Sequence, residues 1–128
     1  MSTTTTPARQ FFDQHLNYLF QGQVDELMQE QYTEDAVLTS PFDVLDTPGP
    51  HTMRGRDEIG NFITRWGQKY GNSEWEFQFW LETEDSISFA ATMIHPTGTF
   101  AVSEAWHVVG GFPNGKIDRH YGFGYQFK

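Results

Sequence analysis

The chain has 128 residues and carries 17 acidic against 8 basic side chains, a formal net charge of −9. That length suits one domain with its own core, and the acidic balance argues against nucleic acid or an anionic membrane as a partner. There is no cysteine, which excludes disulfides, thiolate metal sites and a Cys nucleophile.

Residues 1–6, Met-Ser-Thr-Thr-Thr-Thr, read as a disordered tail without the basic and apolar parts of a secretory leader. No apolar run approaches the roughly 18 residues of a membrane span, and the expected location is the cytoplasm. Thr6 and Pro7 then supply an N-cap and a first-turn proline. Phe11, Phe12, His15, Leu16, Leu19 and Phe20 recur at helical spacing up to Gly22. A shorter helix follows, with Val24, Leu27 and Met28 inward and Asp25 and Glu26 at its positive end; it ends near Tyr32. Thr33 to Asp35 reads as a turn and Ala36 to Thr39 as a short strand stopped by Pro41. Residues 42–52, with two prolines and a glycine, read as an irregular loop, either a lid or a plain surface connection.

A third helix starts at Gly55, with Ile59, Phe62, Ile63 and Trp66 as its apolar stripe, and fades from Gly67 to Gly71. Ser73 to Glu84 alternates, with Trp75, Phe77, Phe79 and Leu81 on one face; Trp80 breaks the polar face. Three more strands follow, 86–95, 99–109 and 116–128, the last two joined through Pro113-Asn114-Gly115, a strong hairpin signal. Helices placed before a mostly antiparallel sheet indicate an α+β fold in one domain spanning 7–128.

Four segments carry a resemblance: Phe20-Gln-Gly-Gln-Val-Asp-Glu-Leu27, Tyr32-Thr-Glu-Asp-Ala-Val37, Arg54-Gly-Arg-Asp-Glu-Ile59 and Gly115-Lys-Ile117. In this order and spacing they resemble the nuclear transport factor 2-like superfamily, which includes ketosteroid isomerase and the SnoaL-like polyketide cyclases. The resemblance implies a cystatin-like cone, with three N-terminal helices on a curved sheet that encloses an apolar pocket. It also implies a cofactor-free enzyme acting on a small apolar metabolite, polycyclic ones included, by isomerisation, cyclisation or dehydration. In the isomerase the base is an Asp directly before a Pro at the end of the first strand; here Ser40 precedes Pro41. The isomerase's helix-one Tyr falls on His15, and its penultimate-strand Asp falls on His107. SnoaL-like cyclases place an Asp with a His on the last two strands, where this chain has His107 and His120.

In the isomerase register Ser103, Ala105 and His107 face the cone, with His120, Gly122 and Gly124 from the next strand and Phe89, Ala91 and Met93 from the one before. The expected acid–base group is therefore His107, His15, His120 and Ser40, since His titrates near neutral pH. Phe12, Leu19, Phe62, Trp66, Phe89, Met93, Ser103 and Ala105 are the expected ligand contacts. Phe100, Val102, Trp106, Tyr121 and Phe123 would then form an outward apolar patch, from which a sheet-to-sheet homodimer is expected. A one-residue slip would exchange the two faces. The five His are scattered, so no metal site is expected, and no phosphate loop or dinucleotide fingerprint occurs. The competing reading is a binding or scaffold module without turnover, because fold alone does not fix function.

Overall fold

The computed structural model describes residues 5–45 and 49–127. Three helices and six strands follow in the order α1 (Pro7–Phe20), α2 (Val24–Gln31), β1 (Tyr32–Ser40), β2 (His51–Arg54), α3 (Gly55–Tyr70), β3 (Glu74–Glu82), β4 (Ser86–His95), β5 (Gly98–Val109) and β6 (Lys116–Gln126). The strands form one sheet in the order β2-β1-β6-β5-β4-β3. Only β1 and β6 run parallel; the other pairs are antiparallel. This is the expected α+β cone, with one more strand than the sequence pattern indicates.

Local chemistry sets the element ends. Thr6 accepts the Arg9 N–H at 3.1 Å, capping α1 ahead of Pro7; residues 1–4 of the tail expected over 1–6 lie outside the described residues. Gly22 turns the chain into α2 with φ +71°, a backbone region that favours glycine. Asp57 and Glu58 occupy the first turn of α3 and Lys69 its last, both favourable to the helix dipole.

β1 is longer than expected. The Thr33–Asp35 stretch is part of the strand, and its turn character survives as a register shift against β6 between Tyr32 and Val37. The expected 42–52 loop is shorter, because His51 and Thr52 begin β2 and pair with Ser40 and Thr39. Phe42 is buried, and Val44 and Leu45 pack on the core, so this part of the loop is anchored. Residues 46–48 of this stretch, expected to be either a lid or a surface connection, lie outside the described residues.

A β-bulge between Phe77 and Phe79 explains the anomaly at Trp80. Before it, Trp75 and Phe77 lean towards the helices; after it, Trp80 does so, and Phe79 and Leu81 turn outward. Phe12 of α1 seats itself among the sheet's rings, with centroids 5.1 Å from Trp80, 5.2 Å from Phe89 and 5.3 Å from Trp106.

The inward face of β5 is the reverse of the expected one. Val102, Trp106 and Val108 are buried, and Ser103, Ala105 and His107 are exposed. Burying each of these large apolar groups contributes about 1.5–3 kcal/mol, far more than a buried Ser, Ala and His could return. The β5–β6 register also slips here: Val108 pairs with Ile117 and His107 with Arg119, leaving Asp118 as an extra residue. The β6 face is as expected at His120 and Gly122, both buried, whereas Gly124 is exposed and lies outside the cavity lining.

A candidate active site in the cone

The cavity between the helices and the sheet has a volume of about 280 Å³, near the small end of ligand pockets at about 300–1,000 Å³. Phe12, Leu19, Phe62, Trp66 and Phe89, all expected contacts, line it, together with Trp75, Phe77 and Trp106. Met93 is buried in the core behind the wall, and Ser103 and Ala105 lie on the far side of the sheet. Phe20 and Phe77 stand exposed at the open end. At the deep end stand His15, His120, Ser40 and Glu104.

Of the four expected acid–base residues, three meet there. His107 does not: its side chain is 48% exposed on the outer face, 2.6 Å from Asp118 and 3.5 Å from Asp85. The Asp118 hydrogen bond raises its pKa, with burial opposing slightly and the charge of both carboxylates adding to the rise.

Glu104 takes the place intended for His107. Its Oε1 accepts from His120 Nε2 at 2.7 Å and from Trp106 Nε1 at 2.9 Å. Burial pushes its pKa up, but the charge and hydrogen bond of His120 and the Trp106 N–H outweigh that, so the net shift is downward and the carboxylate stays ionised. On its other side His120 Nδ1 lies 2.9 Å from the Tyr32 hydroxyl. Burial, and then Glu104, raise the Tyr32 pKa well above its usual value, so the hydroxyl keeps its proton. With Nε2–H given to the carboxylate, His120 shares a second hydrogen bond with the Tyr32 hydroxyl through Nδ1. Tyr32, His120 and Glu104 thus form one chain from the sheet's interior into the cavity.

His15 stands apart from that chain, with its ring 4.4 Å from Trp106 and 6.2 Å from His120. Gln31 donates Nε2–H to the Phe11 carbonyl at 3.0 Å, which leaves its Oε1 to accept from His15 Nδ1 at 3.0 Å. Burial and the neighbouring His120 lower the His15 pKa to about 3, so its Nε2 carries a lone pair at neutral pH. Neither His15 Nε2 nor Glu104 Oε2 has a protein partner, yet no side-chain nitrogen or oxygen among the described residues is both sealed and unpaired. Both atoms therefore open onto the cavity their residues line. Ser40 accepts the Phe42 N–H at 3.2 Å, and its own proton is free to be donated.

A sequence profile of the SnoaL-like domain matches residues 8–120. The chain belongs to the SnoaL-like family. Its fold is shared with a SnoaL-like protein of unknown function from Burkholderia thailandensis, at 15% identity, 99% and 100% coverage of the two chains and a TM-score of 0.67. IdmH from Streptomyces antibioticus, described as a candidate polyketide cyclase, aligns at 16% identity, 93% and 91% coverage and TM-score 0.66. A cystatin-like protein of unknown function from Methylobium petroleophilum aligns at 11% identity, 100% and 82% coverage and TM-score 0.70. No curated protein matches the chain.

Glu104 was legible in principle. In the alternating set Phe100, Val102, Glu104, Trp106, Val108 it is one carboxylate in an apolar row, and such a row is the buried one. Among the described residues no group of three His, Asp or Glu side chains is placed to hold a metal ion, and no helix is long and apolar enough to cross a membrane.

Proposed function

We propose that this SnoaL-like protein is a proton-transfer enzyme that works on a small apolar metabolite with its own side chains, without a cofactor. The observation carrying this reading is the free oxygen of an ionised, desolvated Glu104 in an aromatic cavity, beside the free lone pair of neutral His15. At neutral pH both groups are bases. A proton removed from substrate carbon by Glu104 makes it the acid that returns the proton elsewhere, which suits isomerisation or an aldol-type ring closure. His120 holds Glu104 in place and, through Tyr32, links its charge to a buried donor chain; His120 and Tyr32 are positioning residues. The Ser40 hydroxyl is the donor left for a developing enolate oxygen. The polyketide-cyclase description of IdmH agrees with this reaction class.

The test is hydrogen–deuterium exchange at the α-carbons of a bound cyclic ketone such as 2-tetralone, followed by NMR. Wild-type protein is expected to exceed buffer, and Glu104→Gln to lose about 10²–10⁴-fold of that excess. A bound ketone that exchanges no faster than in buffer would sink the enzyme reading. A pocket that binds without turnover would then be the better description, with Glu104 serving only to satisfy His120 and Trp106.

We also infer a homodimer through the outer sheet face. The patch differs from the expected one, since Val102 and Trp106 are buried and Phe100 is half-buried. Its outward residues are Phe79 and Leu81 on one side and Tyr121, Phe123 and Tyr125 on the other. Between them lie rows of small side chains, where Ser88 pairs with Ala105, Ala90 with Ser103, and Thr92 with Ala101. A trough flanked by ridges on one face can receive the same ridges from a second copy about a two-fold axis. With Phe127, the exposed rings and Leu81 offer on the order of 650 Å² per copy, taking about 200 Å² for a large side chain. Adding the trough brings this near the roughly 800 Å² per partner of a stable interface.

A further inference from the structure

The deep end of the cavity is built almost wholly of acceptors, and this restricts what can sit in it. Glu104 Oε2 and His15 Nε2 both present lone pairs, and neither has a protein donor. The donors nearest them are already committed: both His120 nitrogens and the Trp106 N–H are engaged, and His15 Nδ1 is held by Gln31. Among the described residues only the Ser40 hydroxyl remains able to donate from this end. Around the two acceptors the wall is aromatic, with Phe12, Phe62, Phe89 and Trp106.

We propose that the cavity selects neutral ring compounds bearing a phenolic or enolic hydroxyl, which donates to Glu104 Oε2 or His15 Nε2, and that it rejects carboxylates. The inference rests on the proton-transfer reading above and names the substrate class of that same site. A carboxylate would meet an ionised carboxylate in an apolar enclosure, where like charges are poorly screened. A cation would have to give up its hydration to enter the aromatic enclosure around the two acceptors, a larger cost than a neutral hydroxyl incurs. An ether or simple hydrocarbon of the same shape leaves both acceptors desolvated and unpaired, which is costly inside a protein. A neutral hydroxyl satisfies one acceptor without adding charge. It also places an ionisable O–H against the group proposed to move the proton.

The experiment is a fluorescence titration of the full chain at pH 7.5 with three probes of one ring system: 2-naphthol, 2-methoxynaphthalene and sodium 2-naphthoate. Naphthol is expected to bind at least about 10-fold more tightly than the methoxy compound, the factor set by one hydrogen bond to a charged acceptor. Naphthoate is expected not to saturate. Glu104→Gln turns an acceptor into a group that can also donate, so the naphthol preference should shrink and naphthoate binding should appear. A purely structural lesion would weaken naphthol and its methyl ether together and leave naphthoate unbound. Equal binding of naphthol and its methyl ether, saturable naphthoate binding to wild type, or binding of none of the three overturns the proposal. The wild-type ratios decide the matter even where Glu104→Gln does not fold. Ketone exchange is measured on different compounds, so the proton-transfer reading stands or falls separately.

Discussion

His120 and Glu104 touch on a diagonal: Nε2 and Oε1 are 2.7 Å apart, although Glu104 stands opposite Gly122 and His120 opposite Trp106. The missing side chain at Gly122 lets the carboxylate lean across β6 to reach the imidazole. A glycine in mid-strand normally weakens a sheet, and here it opens the floor of the cavity.

Gly122 should therefore discriminate between small and large replacements. A Cβ there would lie 3.5 Å from Pro41 Cδ and the Thr39 carbonyl and 3.9 Å from Glu104 Cγ, all ordinary contacts. Gly122→Ala is expected to change stability by less than about 1 kcal/mol and to keep naphthol binding. Gly122→Leu should fold but fill the cavity, lowering naphthol affinity by more than about 10-fold. Gly124, two residues on, is different, because its Cβ would lie 2.6 Å from the Ala101 carbonyl. Gly124→Ala is expected to cost about 1–3 kcal/mol in urea unfolding.

Removing the carboxylate tests how tightly the chain of donors depends on it. Glu104→Ala leaves His120 Nε2–H and Trp106 Nε1–H facing an apolar void, and a loss of about 3 kcal/mol or more is expected. Glu104→Gln keeps an oxygen in the place where both donors meet and should cost less. Urea midpoints at constant slope measure both; equal midpoints for wild type and Glu104→Ala would contradict the network.

The helices, the four long strands and the cone were legible because they rest on apolar periodicity and on capping residues local in sequence. His15, His120 and Ser40 were placed in the pocket by the family resemblance, which matched them to working positions on α1, β6 and β1. His107 was misplaced because its position was carried over from the isomerase across the Gly110–Gly115 turn, and a slip of one residue reverses every side chain. The apolar alternation Val102-Trp106-Val108 pointed the other way, and the buried area it represents decides the register. β2 was missed because four residues after a proline-rich loop carry no period of their own; they become a strand by pairing with β1. The Glu104–His120–Tyr32 chain joins three strands, β5, β6 and β1, and tertiary pairing of that kind has no local signature.

The outer face gives a prediction about assembly. Phe123 lies on the ridge, exposed, opposite Ser103 in the trough. Phe123→Asp would place charge in the inferred interface, and the variant is expected to sediment as a monomer where wild type sediments as a dimer. Its cavity is on the other side of the sheet, so naphthol affinity should stay within about 3-fold. A wild-type chain that is monomeric at micromolar concentration would refute the interface.

The last prediction concerns pH and follows from His15. Its pKa is near 6.5 in the unfolded chain and about 3 in the fold, lowered first by burial and next by His120. Below pH 6.5 the unfolded state therefore binds a proton that the folded state refuses, and folding weakens as pH falls. The loss begins near 6.5 and continues towards 3. Between pH 7.5 and 5 this one group should remove on the order of 2 kcal/mol. Glu104, also lowered, adds to the loss only below its unfolded value of 4.5. His107, raised by Asp118, acts in the opposite sense, and its exposure keeps that contribution small. Urea unfolding of wild type and His15→Gln at pH 7.5, 6 and 5 separates these effects. The variant is expected to start lower, having lost a buried ring, but to show a shallower decline. Parallel declines in the two proteins would mean that His15 takes up its proton in the folded state, and the lone pair assigned to the cavity would be gone.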